Sequence, residues 1–144
     1  MILLADPLSS YEAHQANIQS IIKNTLASGE YILGQQVDRF EQSFAKYIGA
    51  KSAVGVNSGT DALELALRSL DIGPGDEVIT VSHTALATIS AIITVGATPV
   101  LADICPLTLN VDIGSLTDAI SSKTKAIILV HLYGNPGPVR EVLN

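Results

Sequence analysis

Asn57-Ser58-Gly59-Thr60 is the stretch of this chain whose residue types and spacing could do chemistry. It lies between an apolar segment, Ser52 to Val56, and a run in which Leu63, Ala66, Leu67 and Leu70 share one face. That pattern reads as a short buried strand, a tight polar turn and a helix. The first turn of a helix leaves backbone N–H groups without partners and carries partial positive charge, so it suits a phosphate or another anion. Gly59 lets a ligand approach the backbone, and the hydroxyls of Ser58 and Thr60 add donors. Either hydroxyl can cap the helix, and Asp61 puts a carboxylate in its first turn. The same residues also make an ordinary N-cap beside a glycine. Neither the Gly-Lys-Ser/Thr of a P-loop nor a G-x-G-x-x-G is present, so the surrounding elements must decide.

Those elements start with an extended lead-in over residues 1–10. A helix is expected from about Tyr11 to Ser28, with Ile18, Ile21, Ile22 and Leu26 as its stripe and Gly29 as its stop. The connector Glu30-Tyr31-Ile32-Leu33-Gly34 is too apolar for an exposed loop and is expected to pack. A second helix from about Gln35 to Ile48 aligns Val37, Phe40, Phe44 and Ile48 and stops at Gly49. After the turn-and-helix unit and a Gly73-Pro74-Gly75-Asp76 turn, the pattern repeats. Glu77 to Val81 reads as a strand. Ser82 can cap a helix from about His83 to Val95 that is apolar nearly all round, hence buried. Thr98 to Asp103 is a strand, with Cys105 just past its end. Asp112 can cap a helix through Ile120, Lys125 to Leu132 is a continuous apolar strand, and Pro138 to Leu143 begins another helix.

Alternating strands and helices with near-continuous apolar strands imply an α/β fold: three layers, a mostly parallel sheet and crossover helices. Ligands of such sheets sit beyond the carboxyl ends of the strands. Three turns are expected at that edge: Asn57–Thr60, Ser82–Ala85 and His131–Gly134.

Composition narrows the function classes. A chain of 144 residues with 47% hydrophobic residues can bury a core, which excludes a disordered chain. A net charge of −6 argues against a nucleic-acid or anionic-membrane partner. The single cysteine, Cys105, excludes an intrachain disulfide and fits a reducing cytoplasm. The apolar run near Ala85 to Val95 is too short and too polar to span a bilayer. The N-terminus lacks a basic n-region, so no secretory signal is expected.

One series of motifs resembles a known family. Its members are Ser28-Gly29-Glu30-Tyr31-Ile32-Leu33-Gly34, Phe40-Glu41 with Phe44-Ala45 and Tyr47-Ile48-Gly49, Asn57 through Leu63, Gly73 through Val78, Gly96 through Val100, and Val130-His131-Leu132-Tyr133-Gly134. Together they resemble the DegT/DnrJ/EryC1/StrS family of pyridoxal-phosphate-dependent aminotransferases. These act on nucleotide-linked keto-sugars in polysaccharide, lipopolysaccharide or deoxysugar biosynthesis. The resemblance implies the first part of a fold-type-I large domain, with an N-terminal helical segment over residues 1–51 and the cofactor-binding α/β part over 52–144, together one domain. It implies a cytoplasmic homodimer, an amino-acid donor, glutamate by expectation, and a nucleotide-sugar substrate. Ser58, Gly59 and Thr60 then resemble the cradle of the cofactor phosphate.

The cofactor ring would lie near His83 and Ala85. Many relatives carry a stacking aromatic at the position of Ala85. Here His83 could take part of that role, the ring could rest on aliphatic surface, or His83 could bond a neighbouring backbone group at a helix start. His131 and Tyr133 are expected to be structural, the first ending a buried strand. The family's Schiff-base lysine and its pyridine-nitrogen carboxylate lie further along than this chain reaches. Lys23, Lys46, Lys51, Lys123 and Lys125 read as surface charges, and Asp103 is not given the pyridine role. The expectation is that the 144 residues alone do not turn over. Alternatives are a non-catalytic or regulatory protein that keeps the fold, and a sugar dehydratase on the same scaffold. A sheet cut after about four strands would expose an edge and favour pairing with a second copy.

Overall fold

The Asp6 carboxylate accepts from the Ser9 N–H at 3.1 Å, and Pro7 stands in the first turn of the helix that follows. Proline loses nothing there, because its missing N–H would have had no intrahelical partner. Helix α1 therefore runs Pro7–Ser28 and closes on left-handed Gly29. The expected start at Tyr11 is corrected to Pro7, and residues 7–10 are helical rather than extended. The computed structural model describes residues 5–144, so the rest of the expected lead-in lies outside the described residues.

Helix α2, Gln35–Ile48, has the bounds its periodicity predicts, and the Gly49 N–H closes it on the carbonyls of Ala45 and Lys46. Phe40 and Phe44, one turn apart, stack with ring centroids 5.6 Å apart. Both remain exposed, as do Ile21, Ile22 and Leu26 of α1. Tyr31, Ile32 and Leu33 do not pack as expected: they are 66%, 86% and 79% exposed, because no described element of their unit covers them. That unit ends at Gly55, and a second begins at Val56.

Ser52 to Val56 is not a strand. A strand exists through its ladder, and no described strand pairs with this segment. The Gly55 N–H instead donates to Glu41 Oε1 at 2.6 Å.

In the second unit, α3 (Gly59–Ser69) leads through the Gly73–Asp76 turn into β1 (Glu77–Val81). Helix α4 (Leu86–Thr94) connects to β2 (Thr98–Ala102), and α5 (Ile113–Ala119) connects to β3 (Thr124–Ile127). A turn at Leu132–Gly134 and the short α6 (Val139–Leu143) follow. The three described strands are parallel in the order β2-β1-β3. The first crossover leaves β1 in one direction and the second returns across it. Right-handed connections then put their helices on opposite faces.

The side chains of β1 alternate accordingly. Val78 packs with Leu67, Ile92 and Val95 under α3 and α4, whereas Ile79 and Val81 pack with Val111, Leu116 and Val142 under α5 and α6. The unit is thus the three-layer α/β arrangement that the alternation predicts. Val78, Ile79 and Ile92 are fully buried, each worth roughly 1.5–3 kcal/mol relative to exposure.

Two expected elements are shorter. Helix α4 begins at Leu86 and not at His83, since Ser82 makes no cap. The chain folds back there first, the Thr84 N–H donating to the Ser82 carbonyl at 3.0 Å. Only Thr88, Ala91 and Ile92 of α4 are buried, while Leu86 and Ile93 are exposed. Strand β3 ends at Ile127, short of Leu132. The Ile128 N–H still donates to the Ile79 carbonyl at 2.8 Å, but its own carbonyl accepts from the Thr80 hydroxyl at 3.1 Å, and the ladder stops.

Candidate functional site

At the start of α3 the backbone of Ser58 is extended (φ −154°, ψ 165°), and its Oγ accepts from the Asp61 N–H at 3.1 Å. The Ser58 carbonyl accepts from the Ala62 N–H at 3.0 Å. Of the two hydroxyls that could cap, the fold therefore uses Ser58, and Asp61 adds its carboxylate to the first turn. The N–H groups of Gly59 and Thr60 have no partner among the described residues. Gly59 is exposed and Thr60 half-buried, and a Cβ placed on Gly59 would meet no atom within 4 Å. The Ser58 hydroxyl hydrogen is free to donate outward while its oxygen holds Asp61. Beside this turn a cavity of about 300 Å³ is lined by Val56, Asn57, Asp61, Glu64 and Leu65. Glu64 is neutralised by Arg68 at 2.8 Å. Two aligned N–H donors, two hydroxyls and the positive end of an 11-residue helix form a donor set for an anion.

The direction of α3 sets where that donor set lies. Leu67 near its C-terminus shares a cluster with Ile92 and Val95 at the C-terminal end of α4. The two helices therefore run the same way, and each leads into the amino end of a strand. The N-terminus of α3 points toward the carboxyl edge of the sheet, the edge at which β1 delivers His83.

His83 is half-buried in the turn between β1 and α4. Its ring meets Tyr133 edge-on, with centroids 6.2 Å apart and planes at 67°. The expected bond at a helix start does not apply, because α4 begins three residues later at Leu86. Ala85 is the extended N-cap residue of α4, exposed and without a side-chain donor. The Ser82–Ala85 and His131–Gly134 turns therefore touch, and the Asn57–Thr60 turn shares their edge through the direction of α3.

His131 does not end a buried strand. It is exposed, and its Nδ1 accepts from the Gly137 N–H at 2.8 Å, which leaves the proton of the neutral ring on Nε2. Asp103 is exposed just past β2, its N–H donating to Ser115 Oγ at 2.8 Å. All five lysines are exposed.

Two features escape sequence reasoning. Tyr133 has a left-handed backbone (φ 56°, ψ 20°), which costs a non-glycine residue about 1–2 kcal/mol. Nothing in a Tyr-Gly pair announces that the tyrosine takes this conformation as well as the glycine. Beyond β2, the chain forms a loop closed by Cys105 N–H to the Asn110 carbonyl (2.9 Å) and Leu109 N–H to the Cys105 carbonyl (2.8 Å). Hydrogen bonds from the Thr108 backbone, then the Thr108 hydroxyl, then the Leu107 backbone hold the Cys105 thiol below the usual thiol range. Among the described residues no group of His, Cys, Asp and Glu could hold a metal ion, and no helix is long and apolar enough to cross a membrane.

Comparison with known proteins agrees with this arrangement. The dTDP-3-amino-3,6-dideoxy-alpha-D-galactopyranose transaminase of Aneurinibacillus thermoaerophilus is 51% identical over 121 residues, which is 84% of this chain and 33% of that protein. The crystal structure of Streptomyces venezuelae DesV in complex with a ketimine intermediate superposes with a TM-score of 0.93 at 43% identity, covering 96% of this chain and 37% of that one. NtdA of Bacillus subtilis with bound cofactor PMP gives 0.87 at 31% identity, covering 90% of this chain and 30% of that one. The chain thus spans about a third of the length of the relatives it matches. The family profile of DegT/DnrJ/EryC1/StrS aminotransferases matches residues 12–144. The expected resemblance therefore holds along nearly all of the sequence, and the chain belongs to the DegT/DnrJ/EryC1/StrS aminotransferase family.

Proposed function

We propose that this chain supplies the phosphate-binding part of a pyridoxal-phosphate-dependent aminotransferase acting on a nucleotide-linked keto-sugar. The observation that carries the reading is the pair of N–H groups at Gly59 and Thr60, without a partner among the described residues, at the N-terminus of α3. The chemistry of that donor set fits the cofactor's phosphate, which needs short, directed donors and a positive dipole end. Bound pyridoxal phosphate would supply the electron sink for moving an amino group from an amino acid, glutamate by our reading, to the sugar.

The chain's own residues bind and orient. Gly59 and Thr60 donate N–H groups to the phosphate, and the Ser58 and Thr60 hydroxyls add donors. The Ser58 oxygen meanwhile keeps the first turn of α3 in register by holding Asp61. His83 and Ala85, delivered by β1 to the same edge, border the ring. None of the exposed lysines serves as the anchoring amine in this reading, so the 144 residues alone hold the phosphate end and do not transaminate. The working protein is a cytoplasmic homodimer, and neither nucleic acid nor a membrane is a partner. The relatives named above, one a dTDP-aminosugar transaminase and one with bound PMP, support the substrate class and the cofactor.

Gly59→Pro is a direct test. Proline at the first helical position removes one N–H and leaves the helix intact, and the extended Ser58 already has the backbone that a following proline requires. A charge-assisted hydrogen bond is worth about 1.5–3 kcal/mol, so affinity for pyridoxal phosphate and for inorganic phosphate should fall about tenfold or more by calorimetry, with helicity unchanged. Undiminished affinity for both would overturn the reading.

A further inference from the structure

Tyr133 combines three properties that a packing residue would not need. It lies beyond β3, next to the strand that delivers His83. The residue is 84% exposed, so burial does not explain it. Its backbone is left-handed, immediately before left-handed Gly134, a position that glycine would fill without strain. A bulky residue held against local preference at a ligand edge calls for a functional explanation. What its ring does is meet the His83 imidazole edge-on.

That contact bears on the ring plane. The terminal torsion of histidine is broad, so an imidazole on a turn does not hold one orientation by itself. Edge-to-face contact with a second aromatic ring restricts it. Ala85, at the entrance to α4, offers no flat surface.

We infer that Tyr133 is a positioning residue: it holds the His83 imidazole so that one face is presented to a heteroaromatic ligand ring whose phosphate arm reaches the N-terminus of α3. The inference rests on the function proposed above and assigns the ring end of that same site. Tyr133 itself need not touch the ligand; it acts through His83.

The test uses pyridoxamine 5'-phosphate, which needs no lysine to bind, and inorganic phosphate, on the purified protein at its full natural length. The His83 ring signal is followed by NMR with labelled histidine and assigned with His83→Gln. Pyridoxamine phosphate should move that signal by ring current, whereas phosphate alone should not. In Tyr133→Ala the movement should be lost, and affinity for pyridoxamine phosphate should fall about 2- to 10-fold, with affinity for inorganic phosphate unchanged. Tyr133→Phe should restore both. Tyr133→Gly removes the ring while relieving the backbone, and it substitutes for the alanine variant if that one does not fold. Unaltered signal movement and affinity in the variants without the ring would overturn the inference. So would parallel loss of phosphate and pyridoxamine phosphate binding, which would mark a purely structural role. If the unmodified protein binds neither probe, the phosphate cradle itself is wrong and the inference falls with it.

Discussion

At the scale of single residues, the site is made of backbone as much as side chain. Gly59 contributes an N–H and an absence of bulk, and Ser58 spends its oxygen on Asp61 while keeping a hydrogen to give. Cys105 illustrates the same economy in a different loop. Its thiol is held below the usual range first by the Thr108 backbone N–H and then by the Thr108 hydroxyl. These donors favour the thiolate, so the folded value lies below the unfolded one. The associated stability is fully present above the unfolded thiol value, roughly pH 8.5, and fades as pH falls through the lowered folded value. Alkylation by iodoacetamide should therefore reach half its maximal rate at lower pH in the folded chain than in urea. Thr108→Ala should move that midpoint upward, and coincident folded and unfolded profiles would refute it.

At the scale of elements, the alternation Val78, Ile79 distributes β1 between two helical layers. Ile92 on α4 is fully buried in the layer that orients α3. Ile92→Ala should cost about 2–5 kcal/mol in urea unfolding and loosen the phosphate turn with it. Gly96 sits between α4 and β2 at φ 85°, where a Cβ would stand 2.9 Å from Pro74 Cγ. Gly96→Ala combines a wrong backbone region with that clash, so a loss of more than about 1 kcal/mol is expected. A loss as large as that of Ile92→Ala would mean that Pro74 cannot shift.

The elements were unequally legible in the sequence. The bounds of α2 and β1 could be read because each has a local stop: Gly49 for one, the Gly73–Asp76 turn and Ser82 for the other. The start of α4 could not, because Ser82 has the right chemistry for a cap, and only the fold-back to Thr84 takes it out of reach. The Ser52–Val56 strand failed for a related reason. Its apolar residues suit a strand, but a strand depends on a partner that a local pattern does not specify.

At the scale of the whole molecule, both units keep large apolar side chains in the open. Phe40, Phe44 and Ile48 on α2 and Leu86 and Ile93 on α4 are examples. With the homodimer proposed above, such surface is expected to be covered on self-association. Light scattering at micromolar concentration should give twice the monomer mass, and a well-behaved monomer would contradict it. The same preparation of 144 residues, mixed with pyridoxal phosphate and a keto-sugar, should show no transamination. Turnover would mean that one of the exposed lysines does what the proposal denies it.

The amino-acid sequence by itself determined the alternation of helices and strands, the anion-receiving turn at Ser58-Gly59-Thr60 and the family, because these rest on local spacing and on motifs read in order. Tertiary structure alone decided which hydroxyl caps α3, that His83 lies before α4 rather than on it, and that Tyr133 reaches His83 from the turn beyond the neighbouring strand. The first two turn on local bonds between which the sequence leaves a choice, Ser58 or Thr60 as the cap and Ser82 as a cap or as the acceptor of a fold-back, and the third on a ring contact between residues far apart in sequence, which has no periodicity to read.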